Sequence, residues 1–191
     1  MQPAEQHLRQ SCPIMARLIS QHGPCTLAES DPNLFQTLVN SIISQQLSTK
    51  AAGTIKCRVR EIVPNFMPAE FLTVSTKALH KAGLSSAKTR YIVELAQRVS
   101  DGRLNLETIK EGPDKEVIDT MVALPGIGQW TAEMFLIFGL RRQNVLSLGD
   151  AGLQRATRLL FGDDAKLAQV SQPWQPFRSV ASWYLWRHLD T

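Results

Sequence analysis

No run of 18 or more apolar residues occurs in the 191-residue chain, and its N-terminus, MQPAEQHLRQ, carries charge where a secretory leader needs an apolar stretch. The expectation is a soluble, intracellular protein without a membrane span. Cysteine is scarce. Cys12, Cys25 and Cys57 are odd in number, lack zinc or haem spacing, and fall one ligand short of a four-thiolate iron–sulfur cluster. They read as buried free thiols. His7, His22, His80 and His188 are scattered without metal-binding spacing and read as surface or hydrogen-bonded polar residues. Sustained apolar–polar alternation is missing, as are Asn-Gly or Asp-Gly turns between such runs, so nothing argues for a sheet. Acidic residues do not dominate either: 21 Lys plus Arg against 17 Asp plus Glu leave a net charge of +4. That balance permits a polyanionic partner without requiring one.

What the chain does contain is helical periodicity, with 43% apolar residues and no long linker, low-complexity tract or repeat. Leu34, Phe35, Leu38, Val39, Ile42 and Ile43 form one stripe after Asp31-Pro32, where Asp31 is placed to cap and Pro32 suits a first turn. A second helix is expected from near Ser48 through Ala52, Ile55 and Val59, stopping before Pro64. Pro68 and Ser75 mark short starts. Ser85 or Ser86 can cap a helix carrying Ile92, Leu95, Ala96 and Val99 that ends near Asp101-Gly102. Pro113-Asp114 opens another. After Gly126–Gly128 comes a helix with Trp130, Met134, Ile137 and Phe138, then an extended loop from Gln143 to Gly149. Leu153, Ala156, Leu159 and Leu160 make the next apolar face, and a last helix starts at Pro176. The fold class expected is all-α.

The segment Leu124-Pro125-Gly126-Ile127-Gly128-Gln129-Trp130-Thr131-Ala132 sits between two of these helices. Its glycines allow a tight turn that exposes backbone at the start of the second helix. Amides at a helix N-terminus, on the positive end of its dipole, can hold a phosphate oxygen without any charged side chain. An ordinary Pro-Gly helix connection would leave the same trace.

The whole string LPGIGQWTA resembles the helix-hairpin-helix of the base-excision DNA glycosylase superfamily. Ile42-Ile43-Ser44-Gln45-Gln46-Leu47-Ser48-Thr49-Lys50-Ala51-Ala52, Gly83-Leu84-Ser85-Ser86-Ala87-Lys88 and Trp174-Gln175-Pro176-Phe177-Arg178-Ser179 are similar to further motifs of its DNA-3-methyladenine glycosylase II branch, here in compact form. The resemblance implies two helical lobes with a DNA groove between them. One spans 32–146 and carries the hairpin at 117–140; the other joins 1–31 to 147–191. It also implies that Gly126, Gly128 and Thr131 belong to the DNA-holding hairpin, with a monovalent cation possible on its carbonyls and no side-chain metal site. An aspartate past the hairpin faces the extruded nucleotide in that family, and Asp150, 22 residues after Gly128, supplies it here. Asp150 equally suits the cap of the helix that follows.

Members of the family that also cut the backbone use a lysine in the hairpin's second helix, whose amine forms a Schiff base with the sugar. Trp130 stands there instead, which implies a monofunctional hydrolase that leaves an abasic site and needs no cofactor. Breaking an N-glycosidic bond builds positive charge on the sugar that a carboxylate stabilises, and a cationic alkylated purine leaves with little acid assistance. Trp130 would stack on the flipped base, with Met134 one turn on lining the same pocket, although an indole there also suits a core. Gln45, Gln46, Leu47 and Ser48 would contact DNA, with Gln46 and Leu47 favoured to fill the gap left by the flipped nucleotide. The competing reading has Gln45 satisfying loop backbone and Leu47 in the core. Lys50, Lys88, Arg90, Arg141, Arg142 and Arg155 are candidate phosphate contacts. The C-terminal Trp174, Trp183, Tyr184 and Trp186 read as packing. The expected partner is double-stranded DNA with alkylated bases, bound by a monomer in the nucleoid of a bacterium or the nucleus of a eukaryote. Excision of another lesion, or damage binding without excision, are the alternative functions.

Overall fold

The computed structural model describes residues 2–27 and 33–190. Among them there is no strand, and no helix is long and apolar enough to cross a membrane. The chain divides into two compact units, Pro32–Leu140 and the combination of Met1–Asp31 with Arg141–Thr191.

The first unit is built around helix α3. In chain order, α1 (Gln2–Ser11) and α2 (Pro13–His22) precede it, and α3 itself spans Leu34–Ser44. Leu38, Val39, Ile42 and Ile43 are fully buried, in register with the predicted stripe. Each such side chain contributes roughly 1.5–3 kcal/mol relative to exposure. Its cap is Asn33, whose side chain accepts from Gln36 N at 2.9 Å, and not the expected Asp31. Asp31 and Pro32 themselves lie outside the described residues. Next come α4 (Thr49–Ile62), α5 (Pro68–Thr73), α6 (Thr76–Lys81) and α7 (Ser86–Ser100). Ser48, Ser75 and Ser85 cap α4, α6 and α7 through their hydroxyls. After α8 (Leu106–Ile109), α9 (Asp114–Val122) and α10 (Gln129–Met134) flank the hairpin turn. Instead of continuing regularly, α10 passes into a π-helical turn, Phe135–Gly139, closed by Leu140 N on Phe135 O at 2.9 Å. Both α10 and this turn pack on α3.

The terminal unit joins α1 and α2 to α11 (Ala151–Phe161), α12 (Leu167–Val170), a 3₁₀ turn (Gln172–Trp174) and α13 (Arg178–Leu189). Its core includes Leu8, Met15, Leu18, Leu153, Trp174 and Tyr184. Glu5 Oε1 accepts from Cys25 N at 2.7 Å and lies 3.0 Å from the Tyr184 hydroxyl, linking the two ends of the chain. Burial first, then the bond to Glu5, pushes that phenol well above its ordinary pKa.

Several expectations need correction. Residues 141–146, expected with the hairpin lobe, belong to the terminal unit. Arg178 Nε donates to Asn144 Oδ1 at 2.8 Å and Ser179 Oγ donates to Arg142 O at 2.6 Å, so this loop is stitched to the start of α13. Cys12 and Cys25 are buried, but Cys57 is exposed on α4. On α11 the inward face is Leu153, Ala156 and Thr157, while Leu159 is 63% exposed.

Candidate active site and nucleic-acid interface

The hairpin turn is compact because Ile127 N bonds Leu124 O at 3.1 Å. Gly126 takes φ 79°, and a Cβ there would stand 2.1 Å from Tyr91 Cδ2, so both conformation and space exclude a side chain. Gly128 differs. It is the N-cap of α10, it is exposed, and nothing lies within 4 Å of where its Cβ would be. A glycine cap brings no oxygen to the amides of the first turn, which leaves that helix start suited to an external anion. Leu124 O and Gly126 O each accept one hydrogen bond and keep a second lone pair. Carbonyl oxygens of this kind suit a monovalent cation. No group of three or more His, Cys, Asp or Glu able to hold a metal occurs among the described residues.

The Gln45–Ser48 segment lies at the end of α3. Gln45 is its C-cap, and Gln46 follows at φ 57°. Gln46, Leu47 and Ser48 are exposed, Leu47 at 39%, which removes the reading of Leu47 as core. The Gln45 side chain points elsewhere. Its Nε2 donates to Gly126 O at 2.8 Å and to Thr131 Oγ1 at 2.9 Å. Thr131 is 1% exposed, so its hydroxyl serves this internal bond and is not offered to a ligand. The Gln45 side chain thus satisfies loop backbone, as the competing reading has it, and both it and the Thr131 hydroxyl are engaged inside the unit. Lys88 is also committed, its ammonium donating to Ile43 O at 2.8 Å and Gln45 O at 2.7 Å. Burial lowers its pKa from 10.5. Trp130 is partly buried. Met134, the other expected wall of the base pocket, is only 4% exposed and lies on the buried side of its helix.

In the terminal unit, Asp150 is the N-cap of α11. It is 7% exposed, and its Oδ1 accepts from Leu153 N at 2.7 Å. The same oxygen accepts from Trp186 Nε1 at 3.0 Å. Gly152 makes room for this pair: a Cβ there would meet Asp150 Oδ1 at 3.1 Å and Trp186 Cδ1 at 3.3 Å. Trp186 was assigned to packing in the sequence; its position on α13, 36 residues after Asp150, gave no local hint of the bond. Leu148, two residues before Asp150, is 49% exposed, and its carbonyl is held by Gln154 Nε2 at 2.8 Å. The carboxylate is thus fixed by a backbone amide and an indole, an arrangement able to hold negative charge at one place near a developing cation.

Residues 39–174 match the family model described as HhH-GPD superfamily base excision DNA repair protein. The chain is 26% identical to the alkylbase DNA glycosidase-like protein mag2 of Schizosaccharomyces pombe, over 96% of this chain and 92% of that protein. Among solved structures it is 36% identical to a DNA-3-methyladenine glycosidase from Bacillus halodurans, covering 94% of this chain and 90% of the other with a TM-score of 0.68. The Schizosaccharomyces pombe 3-methyladenine DNA glycosylase in complex with abasic DNA is 28% identical with a TM-score of 0.86, covering 99% of this chain and 97% of the other.

Proposed function

The chain belongs to the HhH-GPD superfamily of base excision DNA repair proteins, and from that premise we propose that it is a monofunctional DNA glycosylase for alkylated purines. It hydrolyses the N-glycosidic bond of bases of the 3-methyladenine and 7-methylguanine type and leaves an abasic site. The observation that carries this reading is Asp150, a buried carboxylate held by Leu153 N and Trp186 Nε1 in a chain whose relatives are named for that substrate.

The mechanism follows from charge. As the glycosidic bond stretches, the sugar gains oxocarbenium character, and the Asp150 carboxylate stabilises it and orients the attacking water. An alkylated purine is cationic and departs neutral, so no second acid is needed. Helix α10 reads Gln-Trp-Thr-Ala-Glu-Met and offers no lysine for Schiff-base chemistry, which leaves water as the nucleophile. The amides at Gly128 and the first turn of α10 take a backbone phosphate; the carbonyls of Leu124 and Gly126 would hold a monovalent cation, which would supply further positive charge there. Gln46 and Leu47 fill the space of the extruded nucleotide, and Trp130 stacks on the base. The protein acts as a monomer on chromosomal DNA, in a nucleoid or a nucleus according to its source.

The test is incubation of methylated duplex DNA with wild type and Asp150→Asn, with released bases resolved by chromatography and strand breaks scored before and after alkali. Release by wild type alone, with breaks only after alkali, is the expected result. Retained DNA binding without release of any lesion base by wild type would sink the enzymatic reading in favour of damage binding. Release of other lesions but not of methylated purines would redirect the substrate.

A further inference from the structure

Gln45 is tied to three separate elements of its unit. Its backbone carbonyl receives Lys88 Nζ at 2.7 Å, and the same ammonium holds Ile43 O at 2.8 Å, so α7 clamps the end of α3. Both bonds of its Nε2 cross to the hairpin, over 81 residues to Gly126 O and 86 to Thr131 Oγ1. A primary amide has two N–H groups, and these two bonds use both. On the hairpin side, Gly126 lies so close to the Tyr91 ring that no Cβ would fit. Tyr91 follows Lys88 by three residues on α7, the spacing that brings side chains to one face of a helix. One helix therefore braces both the turn that carries Gln46 and the turn that carries Gly126, and the Gln45 amide joins the two directly.

We propose that Gln45 is a positioning residue that locks the hairpin turn to the Gln46–Leu47 turn, so that the phosphate-holding and gap-filling parts of this unit move as one body. The proposal rests on the functional reading above for the roles of those two turns. Its physical basis is that a hydrogen bond to a buried group is costly to lose: without the Gln45 donors, Thr131 Oγ1 and Gly126 O lose their cross-turn partner. The hairpin could then shift relative to the 46–47 turn without melting either helix. Held together, the two turns meet the duplex preformed, which spares the ordering cost of arranging them on DNA.

The first test needs no DNA. In the free protein, Gln45→Met keeps the length of the side chain and removes its donors, and amide hydrogen exchange at residues 127–131 should become about ten-fold faster. Gln46→Ala should leave those amides unchanged. Thr131→Val, which probes the same link from the other side and serves if Gln45→Met folds poorly, should shift exchange in the same direction. The double variant should fall short of the sum of the two. On DNA, Gln45→Met should weaken binding to a duplex with an abasic analogue about ten-fold and also reduce the flipping signal of 2-aminopurine. Gln46→Ala should reduce flipping and abasic affinity while leaving exchange at residues 127–131 as in wild type. Unchanged exchange in Gln45→Met, or strict additivity with Thr131→Val, would overturn the proposal. Lost flipping at unchanged exchange in Gln45→Met would overturn it too, by making Gln45 itself the gap filler. If wild type bound neither duplex, the functional reading would fall, and the exchange comparison would still decide whether Gln45 braces the hairpin.

Discussion

Helices α10 and α11 begin in opposite ways. The first starts at Gly128, which has no side chain to satisfy the amides of the opening turn; the second starts at Asp150, whose own carboxylate takes Leu153 N at 2.7 Å. A helix start without a side-chain cap keeps its amides for an outside anion, whereas a self-capped start spends one amide on holding a carboxylate still. The same kind of helix start thus lacks a side-chain cap in one unit and holds a carboxylate in the other. Which of the two it does is decided by a single residue.

Exchanging the two kinds of start gives the sharpest tests. Asp150→Asn keeps an Oδ1 that can still cap α11 and accept from Trp186, so stability should change by less than about 1 kcal/mol. Base release should nonetheless fall by about 10²–10³-fold, because the stabilising negative charge is gone. Calorimetry beside single-turnover release measures both, and a matching loss of stability would reduce Asp150 to a cap. Gly128→Asp converts the hairpin into the other type. It should raise stability by up to about 1 kcal/mol through self-capping while weakening duplex affinity on the order of ten-fold or more. A fluorescence titration that showed undiminished affinity would remove the hairpin amides from the interface.

Trp186→Phe sharpens the comparison from the side of Asp150. Removing the indole donor, at 3.0 Å from Oδ1, should lower the rate of base release about ten-fold and leave affinity for abasic duplex unchanged. Equal losses in rate and affinity would mean that the ring matters for packing and not for holding the carboxylate.

The smallest expected effect lies in the terminal unit away from the site. Burial, then the charges of His188 and Arg187, lowers the His22 pKa from 6.5. The unfolded chain then takes up a proton near pH 6.5 before the folded one does, so this residue makes stability fall as pH drops below that value. The His188 ring is 6.0 Å from it. His22→Gln should flatten the decline of Tm between neutral and mildly acidic pH, and an unchanged slope would assign the decline to other groups.

The two helix starts were not equally legible in the amino-acid order. The hairpin was, because its demands are local: glycine where φ is positive, glycine at an open cap, and apolar helices on either side. Asp150 was legible as a cap from the residues alone, and as a candidate site residue only through the resemblance of the hairpin to a known family. Its second partner was not, since a tryptophan on α13 leaves no periodic trace of pointing at a carboxylate. For Gln45 the amino-acid order leaves two readings open, a DNA contact and a side chain satisfying loop backbone, and the fold bears out the second, with the amide committed to Gly126 and Thr131. Asn33 takes the cap expected two residues earlier for a simpler reason, as cap formers that close together differ only in where the first turn closes. Helices α1 and α2 were not singled out, since ten-residue helices without a long apolar stripe give little periodic signal.

The wide turn at Phe135–Gly139 bears on how chains of this kind can change length. A π-helical turn holds one residue more than an α-helical turn, and Leu140 N reaches back five residues to Phe135 O to close it. Deleting one residue there would restore ordinary winding, and because the wider turn already absorbs the extra residue, what lies beyond it would keep its face. The same deletion in a regular α-helical stretch would turn everything beyond it by about 100°. Gly139, buried against the Phe135 ring, and Phe138, 38% exposed, lie where that slack is held. This turn is therefore a place where the helix can lose a residue without re-aiming its end.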